Sequence, residues 1–226
     1  MKVTWYGHAC FRLEANGISL ITDPYTPERA GLEPVTDTAD FVVMSSALDD
    51  AHACWQMIPG DHRVINALDV IDGPAMLSPG IELSAIGASE GSDRPDDPKA
   101  NAIYLIELDG LRICHMGDVG TPLSDAHLEF LSGGVDILLA LAGANLTIAL
   151  PDLDTAIDAI DPRVVIPMHY WTPSIRHDLG PVEEFLERRS EEIVRSDASS
   201  AEFTSDTLPE RRTIVTLRPA LDPVAA

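Results

Sequence analysis

The side chains able to do chemistry in this chain are seven histidines, three cysteines and a scatter of carboxylates at strand ends. Several nucleophile arrangements fall away at once. Cys114 and His115 are adjacent in an apolar run, so in a strand they face opposite ways and form no dyad. Ser45 and Ser46 lack the Gly-x-Ser-x-Gly turn that exposes a serine nucleophile. What remains is acid–base and ion-binding chemistry at strand ends. His8 follows Gly7, Asp23 precedes Pro24, Asp50 follows an apolar strand, Asp118 follows Gly117, and His169 follows Pro167-Met168. Each also has a plainer reading. Asp50 could cap the segment after it, Asp118 a turn, and the histidines could be packed and hydrogen-bonded. His62, His127 and His177 lie in polar or helical surroundings and read as surface residues.

Short strands separated by turn signals position these residues. Strands are expected over 3–6, 10–14 and 18–22 as a meander, with Ala15-Asn16-Gly17 as a hairpin turn. Others follow at 41–44, 63–66, 81–86, 102–107, 111–115, 135–140, 164–167 and 213–217, with Leu108-Asp109-Gly110 as a second hairpin turn. Helices enter later. Leu153, Ala156, Ile157 and Ile160 form an apolar stripe between Pro151 and Asp161-Pro162. Pro122 opens a helix through Leu131, Pro181 opens another with Val182, Phe185 and Leu186 inward, and a short helix is expected over 51–58. The segments 24–40 and 89–100 read as long loops. Residues 1–226 form one domain, with 219–226 as a frayed tail.

With 37 acidic against 15 basic residues the formal charge is −22. That balance excludes nucleic acid and anionic membrane surfaces as partners, since both reward Lys and Arg. It leaves a small-molecule ligand and homo-oligomerisation open. Cys10, Cys54 and Cys114 are odd in number and widely spaced, which suits a reducing cytoplasm. No apolar run approaches the ~20 residues that cross a bilayer. Cytoplasmic residence is the expectation.

Four segments together resemble the metallo-β-lactamase fold, and within it the ascorbate-6-phosphate lactonase-like metal-dependent hydrolases. They are Trp5-Tyr6-Gly7-His8-Ala9-Cys10-Phe11 with Thr22-Asp23-Pro24, the strand and turn from Phe41 to Ala51, Asn101 through His115-Met116-Gly117-Asp118, and Leu146-Thr147-Ile148 through Pro167-Met168-His169-Tyr170. The resemblance implies an α/β architecture: an αββα sandwich of two mixed sheets with helices outside.

It also implies a two-metal site built from His-x-His-x-Asp-His, a mid-chain histidine, the Gly-Asp aspartate and the Pro-Met-His histidine. Here that opening motif falls on Ser46, Leu48, Asp50 and Ala51, and the mid-chain position on Ser89 or Glu90. Three histidine positions of the motif, Ser46, Leu48 and Ala51, are therefore lost. Asp50, Asp118 and His169 stay as ligands for a single ion in the second position. His52 lies one residue from the expected place, and a one-residue slip on a helix turns a side chain by about 100°, so it is not expected to substitute. His8 and His115 are expected as pocket residues or proton carriers, and Asp23 as support for the ligands. The cofactor is none, or one weakly held divalent ion among Mn, Fe, Ni and Zn. Two readings follow. The first is an impaired or non-catalytic member that binds or regulates. The second is a single-metal hydrolase of a lactone, phosphate ester or related small substrate.

Overall fold

Alternating and continuous apolar runs become strands wherever the turn chemistry brackets them. The computed structural model describes residues 1–49, 51–89 and 101–223. One sheet contains β1 (Lys2–Gly7), β2 (Cys10–Ala15), β3 (Ile18–Thr22), β4 (Phe41–Met44) and β5 (Arg63–Asn66). The other contains β6 (Ala75–Ser78), β7 (Ile81–Ala88), β8 (Asn101–Leu108), β9 (Leu111–His115), β10 (Ile137–Leu141), β11 (Val164–Met168), β12 (Glu192–Arg195) and β14 (Thr213–Thr216). A short β13 (Ser200–Glu202) returns to the first sheet beside β1. The orders are β13-β1-β2-β3-β4-β5 and β12-β14-β11-β10-β9-β8-β7-β6.

Both sheets are mixed. Antiparallel hairpins build β1–β3 and β6–β9, whereas β3, β4 and β5 run parallel, as do β9, β10, β11, β14 and β12. Asn16-Gly17 and Asp109-Gly110 turn two hairpins with both residues at positive φ, the geometry that matches strand twist. Every residue of β10 and β11 is buried, as parallel strands covered on both faces require. Parallel strands need crossovers, and these put the loops after β3, β4, β9 and β11 at carboxyl ends, where open α/β sheets bind ligands.

Helices differ from expectation mainly at their starts. The helix α1 (Pro27–Ala30) lies inside the long 24–40 loop. Next, α2 (Asp125–Leu131) begins at Ser124, whose side chain accepts the His127 N–H while His127 Nδ1 accepts the Ser124 N–H. α3 (Leu150–Ile160) buries the stripe of Leu153, Ala156, Ile157 and Ile160 and ends on Asp161 in the left-handed region. α4 (Val182–Leu186) buries Val182, Phe185 and Leu186. The helix expected over 51–58 is instead an irregular turn followed by a single 3₁₀ turn at Trp55–Met57.

The expected frayed tail is corrected as far as residue 223. Ala220 N–H donates to Trp5 O at 2.8 Å, Leu221 N–H to Tyr6 O at 3.3 Å, and Leu221 O accepts from Glu33 at 2.9 Å. Asp222 is buried and accepts from the Ser174 hydroxyl. Backbone pairing to β1 holds this stretch, which composition alone does not report. Strands β6, β12 and β13 fall outside the expected set, being short and largely exposed or half-exposed. Residues 90–100 and 224–226 lie outside the described residues.

Candidate metal centre

The turn between β1 and β2 carries His8. The His8 carbonyl accepts two donors, Trp5 Nε1 at 3.0 Å and the His169 N–H at 3.0 Å, so it ties the first sheet to the loop after β11. His8, Asp23 and His169 all sit at positive φ, at 53°, 38° and 54°. Non-glycine residues take that conformation at a cost of about 1–3 kcal/mol, and such strain concentrates at functional sites.

Asp23 follows β3 and is fully enclosed. Its Oδ1 accepts the Ser45 N–H at 2.8 Å and the Tyr104 hydroxyl at 3.0 Å; its Oδ2 accepts the Ser45 hydroxyl and His52 Nδ1 at 2.8 Å. Burial pushes this carboxyl up, but the His115 and His52 rings and the Ser45 hydroxyl outweigh it and hold Asp23 below its ordinary range. An ionised Asp23 keeps the proton on His52 Nδ1 and turns Nε2 toward the cleft. This is the carboxylate–histidine arrangement that supports metal ligands.

Around His52 Nε2 stand Asp118 Oδ2 at 3.6 Å and Asp49 Oδ2 at 3.9 Å. Asp118 Oδ1 lies 3.6 Å from His169 Nε2. Burial lowers the His52 pKa, yet the charges of Asp118, Asp23 and Asp49 and the Asp23 hydrogen bond push it up to about 10. The place occupied by His52 Nε2 therefore attracts a cation, whether a proton or a metal ion. His8 and His169 are held well below the usual histidine range by burial and then by neighbouring histidine rings. Neutral imidazole is the form that ligates metals.

Gly117 makes the approach of Asp118 feasible. It sits at φ 59°, and a Cβ there would fall 2.4 Å from Asn101 Oδ1 and 2.6 Å from Ala102 O. Asn101 Oδ1 in turn accepts the Asp118 N–H at 2.9 Å.

Two overlapping groups of possible donors result: His8, His52 and His169, and Asp49, His52 and Asp118. Within each, the donor atoms lie within 4.8 Å of one another. Bonds of about 2.1 Å to one ion place donors within about 4.2 Å of each other, so only a small contraction separates each group from coordination. The rings are close: His8 to His169 is 4.0 Å between centroids, His8 to His52 is 4.9 Å, and His52 to His169 is 5.5 Å. Among the described residues His8 Nδ1, His52 Nε2 and His169 Nδ1 are buried without a hydrogen-bond partner. Leaving such an atom unsatisfied costs about 1–3 kcal/mol, a cost that coordination through His52 Nε2 removes at that atom. The donor set fits a divalent ion.

The sequence candidates fare unevenly. Asp118, His169 and His8 are brought together, with Asp23 behind His52. Asp50 lies outside the described residues, and its neighbour Asp49 supplies a carboxylate to the cluster. His52 corrects the expectation most. The chain from 51 to 54 is not helical, so the 100° helical rotation does not apply and the ring reaches the cleft. None of the three positions expected to have lost a ligand is seen to offer a donor there. Ser46 Oγ accepts the Leu48 N–H at 3.3 Å, Leu48 is 92% exposed, and Ala51 is half-buried.

His115 also changes role. Its Nε2 meets Ala9 O at 2.9 Å, its Nδ1 accepts the Gly117 N–H at 2.9 Å, and its ring stacks on Tyr104 at 4.7 Å. With both nitrogens committed to the scaffold, His115 carries no proton for the site. Ser89 is buried and its carbonyl accepts the Gly120 N–H, while Glu90 lies outside the described residues. His127 is not a free surface residue: beyond its capping bond, its Nε2 meets Gly87 O at 3.0 Å. His177, expected at the surface, has its ring centroid 5.2 Å from that of His8. Nothing local in the sequence marks it; the long-range return of its loop places it there.

Residues 2–169 match the family profile of the beta-lactamase superfamily domain. The chain belongs to that family. A UPF0173 protein of Pyrococcus furiosus is 30% identical over 189 residues, covering 77% of this chain and 85% of that protein. A UPF0173 metal-dependent hydrolase of Carboxydothermus hydrogenoformans is 29% identical over 212 residues, covering 81% and 91%. A Thermotoga maritima crystal structure, given as a Zn-dependent hydrolase of the metallo-β-lactamase superfamily, superposes with TM-score 0.76 at 30% identity. It covers 96% of this chain and 97% of that one. The αββα expectation therefore holds for this metallo-β-lactamase-fold protein, and its relatives point to a divalent metal. Among the described residues no helix is long and apolar enough to cross a membrane.

Proposed function

We propose that this protein is a hydrolase working with one divalent ion held by Asp49, His52, Asp118 and His169, with His8 beside them. One observation carries the reading: His52 Nε2, its ring fixed by Asp23, meets Asp118 and Asp49 where the family motif would otherwise have lost its histidine. A divalent ion there supplies Lewis-acid polarisation of a substrate oxygen and lowers the pKa of water. The chain's own residues do the rest. Asp23 holds the His52 tautomer, Asn101 and Gly117 aim Asp118, and His8, kept neutral by burial and by the histidines around it, turns an unpaired Nδ1 to the cluster. Mixed imidazole and carboxylate donors suit Mn, Fe, Ni or Zn. A lactone, phosphate ester or similar small substrate matches this chemistry. Free Cys10, Cys54 and Cys114 support cytoplasmic residence.

A second reading, an impaired member that binds rather than hydrolyses, draws on Ser46, Leu48 and Ala51, which leave the other metal position without its histidines. Elemental analysis after incubation with Mn²⁺, Fe²⁺, Ni²⁺ and Zn²⁺, followed by dialysis, tests both readings alongside hydrolysis of a panel of lactones and phosphate esters. One ion per chain with metal-dependent turnover is the expected result. Two tightly held ions, or none, would overturn the single-ion assignment. One ion without turnover would favour the second reading.

A further inference from the structure

His115 ends β9 with its ring fully enclosed. It stands directly opposite Tyr104 across the β8–β9 hairpin, and the two rings stack at 4.7 Å, only 7° from parallel. The Phe11 ring meets it edge-on at 6.4 Å. Packing on face and edge locks the orientation of the imidazole, so its two nitrogens point in fixed directions.

Those directions lead to the two sheets. Nδ1 accepts the Gly117 N–H at 2.9 Å, and Nε2 meets Ala9 O at 2.9 Å. A peptide N–H only donates and a carbonyl only accepts, so the ring proton sits on Nε2. Gly117 precedes Asp118, and Ala9 follows His8. Asn101 Oδ1 accepts the next amide of the turn, that of Asp118, at 2.9 Å. Two consecutive amides are thus gripped by two buried side chains. At the other end, Ala9 O also accepts the Thr22 hydroxyl, at 3.4 Å. One imidazole spans from the turn that carries Asp118 to the turn that carries His8.

We propose that His115 is a positioning residue of the metal centre, a strut that fixes the Asp118 turn against the first sheet, from which His8 and His52 come. This rests on the metal reading above. Asp118 Oδ2 stands 3.6 Å from His52 Nε2, and its Oδ1 stands 3.6 Å from His169 Nε2. With spacings so near those of shared ligands, a shift of the turn by about 0.5 Å decides whether one ion meets all three residues. A packing role would need the ring and neither nitrogen. The strut needs its nitrogens, and Nδ1 above all.

The test uses the full chain as wild type, His115→Phe, His115→Asn and His115→Gln. His115→Phe keeps the stack on Tyr104 and removes both bonds. His115→Asn places an oxygen where Nδ1 stands and keeps the Gly117 bond, whereas His115→Gln places an amide nitrogen where Nε2 stands and keeps the Ala9 bond. Co²⁺ affinity is measured by calorimetry, the visible absorption of the bound ion is recorded, and urea unfolding gives each stability. The expected result is Co²⁺ affinity about tenfold weaker, with an altered spectrum, in His115→Phe and His115→Gln. His115→Asn should stay within about threefold of wild type and keep its spectrum, even though it loses the stack and with it stability. Should His115→Phe fail to fold, the contrast between His115→Asn and His115→Gln decides alone. Equal affinities and spectra in all four proteins would overturn the proposal. So would losses that simply follow urea stability, or affinity retained in His115→Gln and lost in His115→Asn. In each of those cases the metal reading stands, whereas failure of wild type to take up Co²⁺ overturns both.

Discussion

His52 Nδ1 and Asp23 Oδ2 are 2.8 Å apart, both enclosed, and that pair decides which way the His52 ring faces. Asp23→Asn keeps the shape but loses the charge that fixes the tautomer. Metal affinity should drop about 10–100-fold, measured by calorimetry with Zn²⁺ and Mn²⁺. Unchanged affinity would show that Asp23 serves the scaffold alone.

His52→Gln removes the nitrogen shared by both donor groups. Metal affinity should fall by at least about 100-fold, more than for Asp23→Asn, while His62→Gln, a histidine packed against Trp55, leaves it intact. Equal behaviour of the two histidine variants would remove His52 from the site.

Tyr104→Phe deletes one of the donors to Asp23 but keeps the stack on His115. The expected cost is about 1 kcal/mol of stability, read from urea unfolding, with a smaller loss of metal affinity than Asp23→Asn causes. No change in either quantity would mean that the Ser45 and His52 bonds suffice.

Gly117→Ala places a Cβ against Asn101 Oδ1 and Ala102 O in a left-handed conformation. Destabilisation of about 3 kcal/mol or more is expected, together with lost metal uptake in whatever protein remains folded. A variant with native melting temperature and full metal uptake would contradict the packing described.

Acid stability should depend on Glu191. Burial raises its pKa, but hydrogen bonds from Arg189 and Arg212, the latter at 2.8 Å, hold it at about 2 against 4.5 when free. A depressed folded pKa gives stability that is complete above the free value and is lost as pH falls from about 4.5 toward 2. Glu191→Gln should therefore cost about 2 kcal/mol near neutrality and show a flatter profile over that window. Parallel profiles for the two proteins would argue that the arginines hold Asp154 and Asp158 instead.

Much of the fold could be read from the chain because its cues are local. Asn16-Gly17 and Asp109-Gly110 mark hairpins by their own backbone preferences, and the stripe of α3 needs nothing beyond its own period. The site was harder for a physical reason. Its geometry depends on the path of one irregular turn, which carries Asp49 and His52 to Asp118. The Asp-Asp-x-His spelling at 49–52 is the local signal, and it points to the cleft only because the chain from 51 to 54 is not helical. His177 and the docked 219–223 segment depend on contacts between distant parts of the chain. No window of sequence contains those.

The hydrogen bond from the His169 N–H to the His8 carbonyl joins loops 161 positions apart, one from each sheet. Asp23, Asp49 and His52 come from the first half of the chain, and Asp118 and His169 from the second. An ion at this centre could therefore be captured only once both sheets have docked. Its binding energy would accrue to global unfolding rather than to any local opening. Metal uptake would act as a reporter of complete assembly, and neither half of the chain would show it alone.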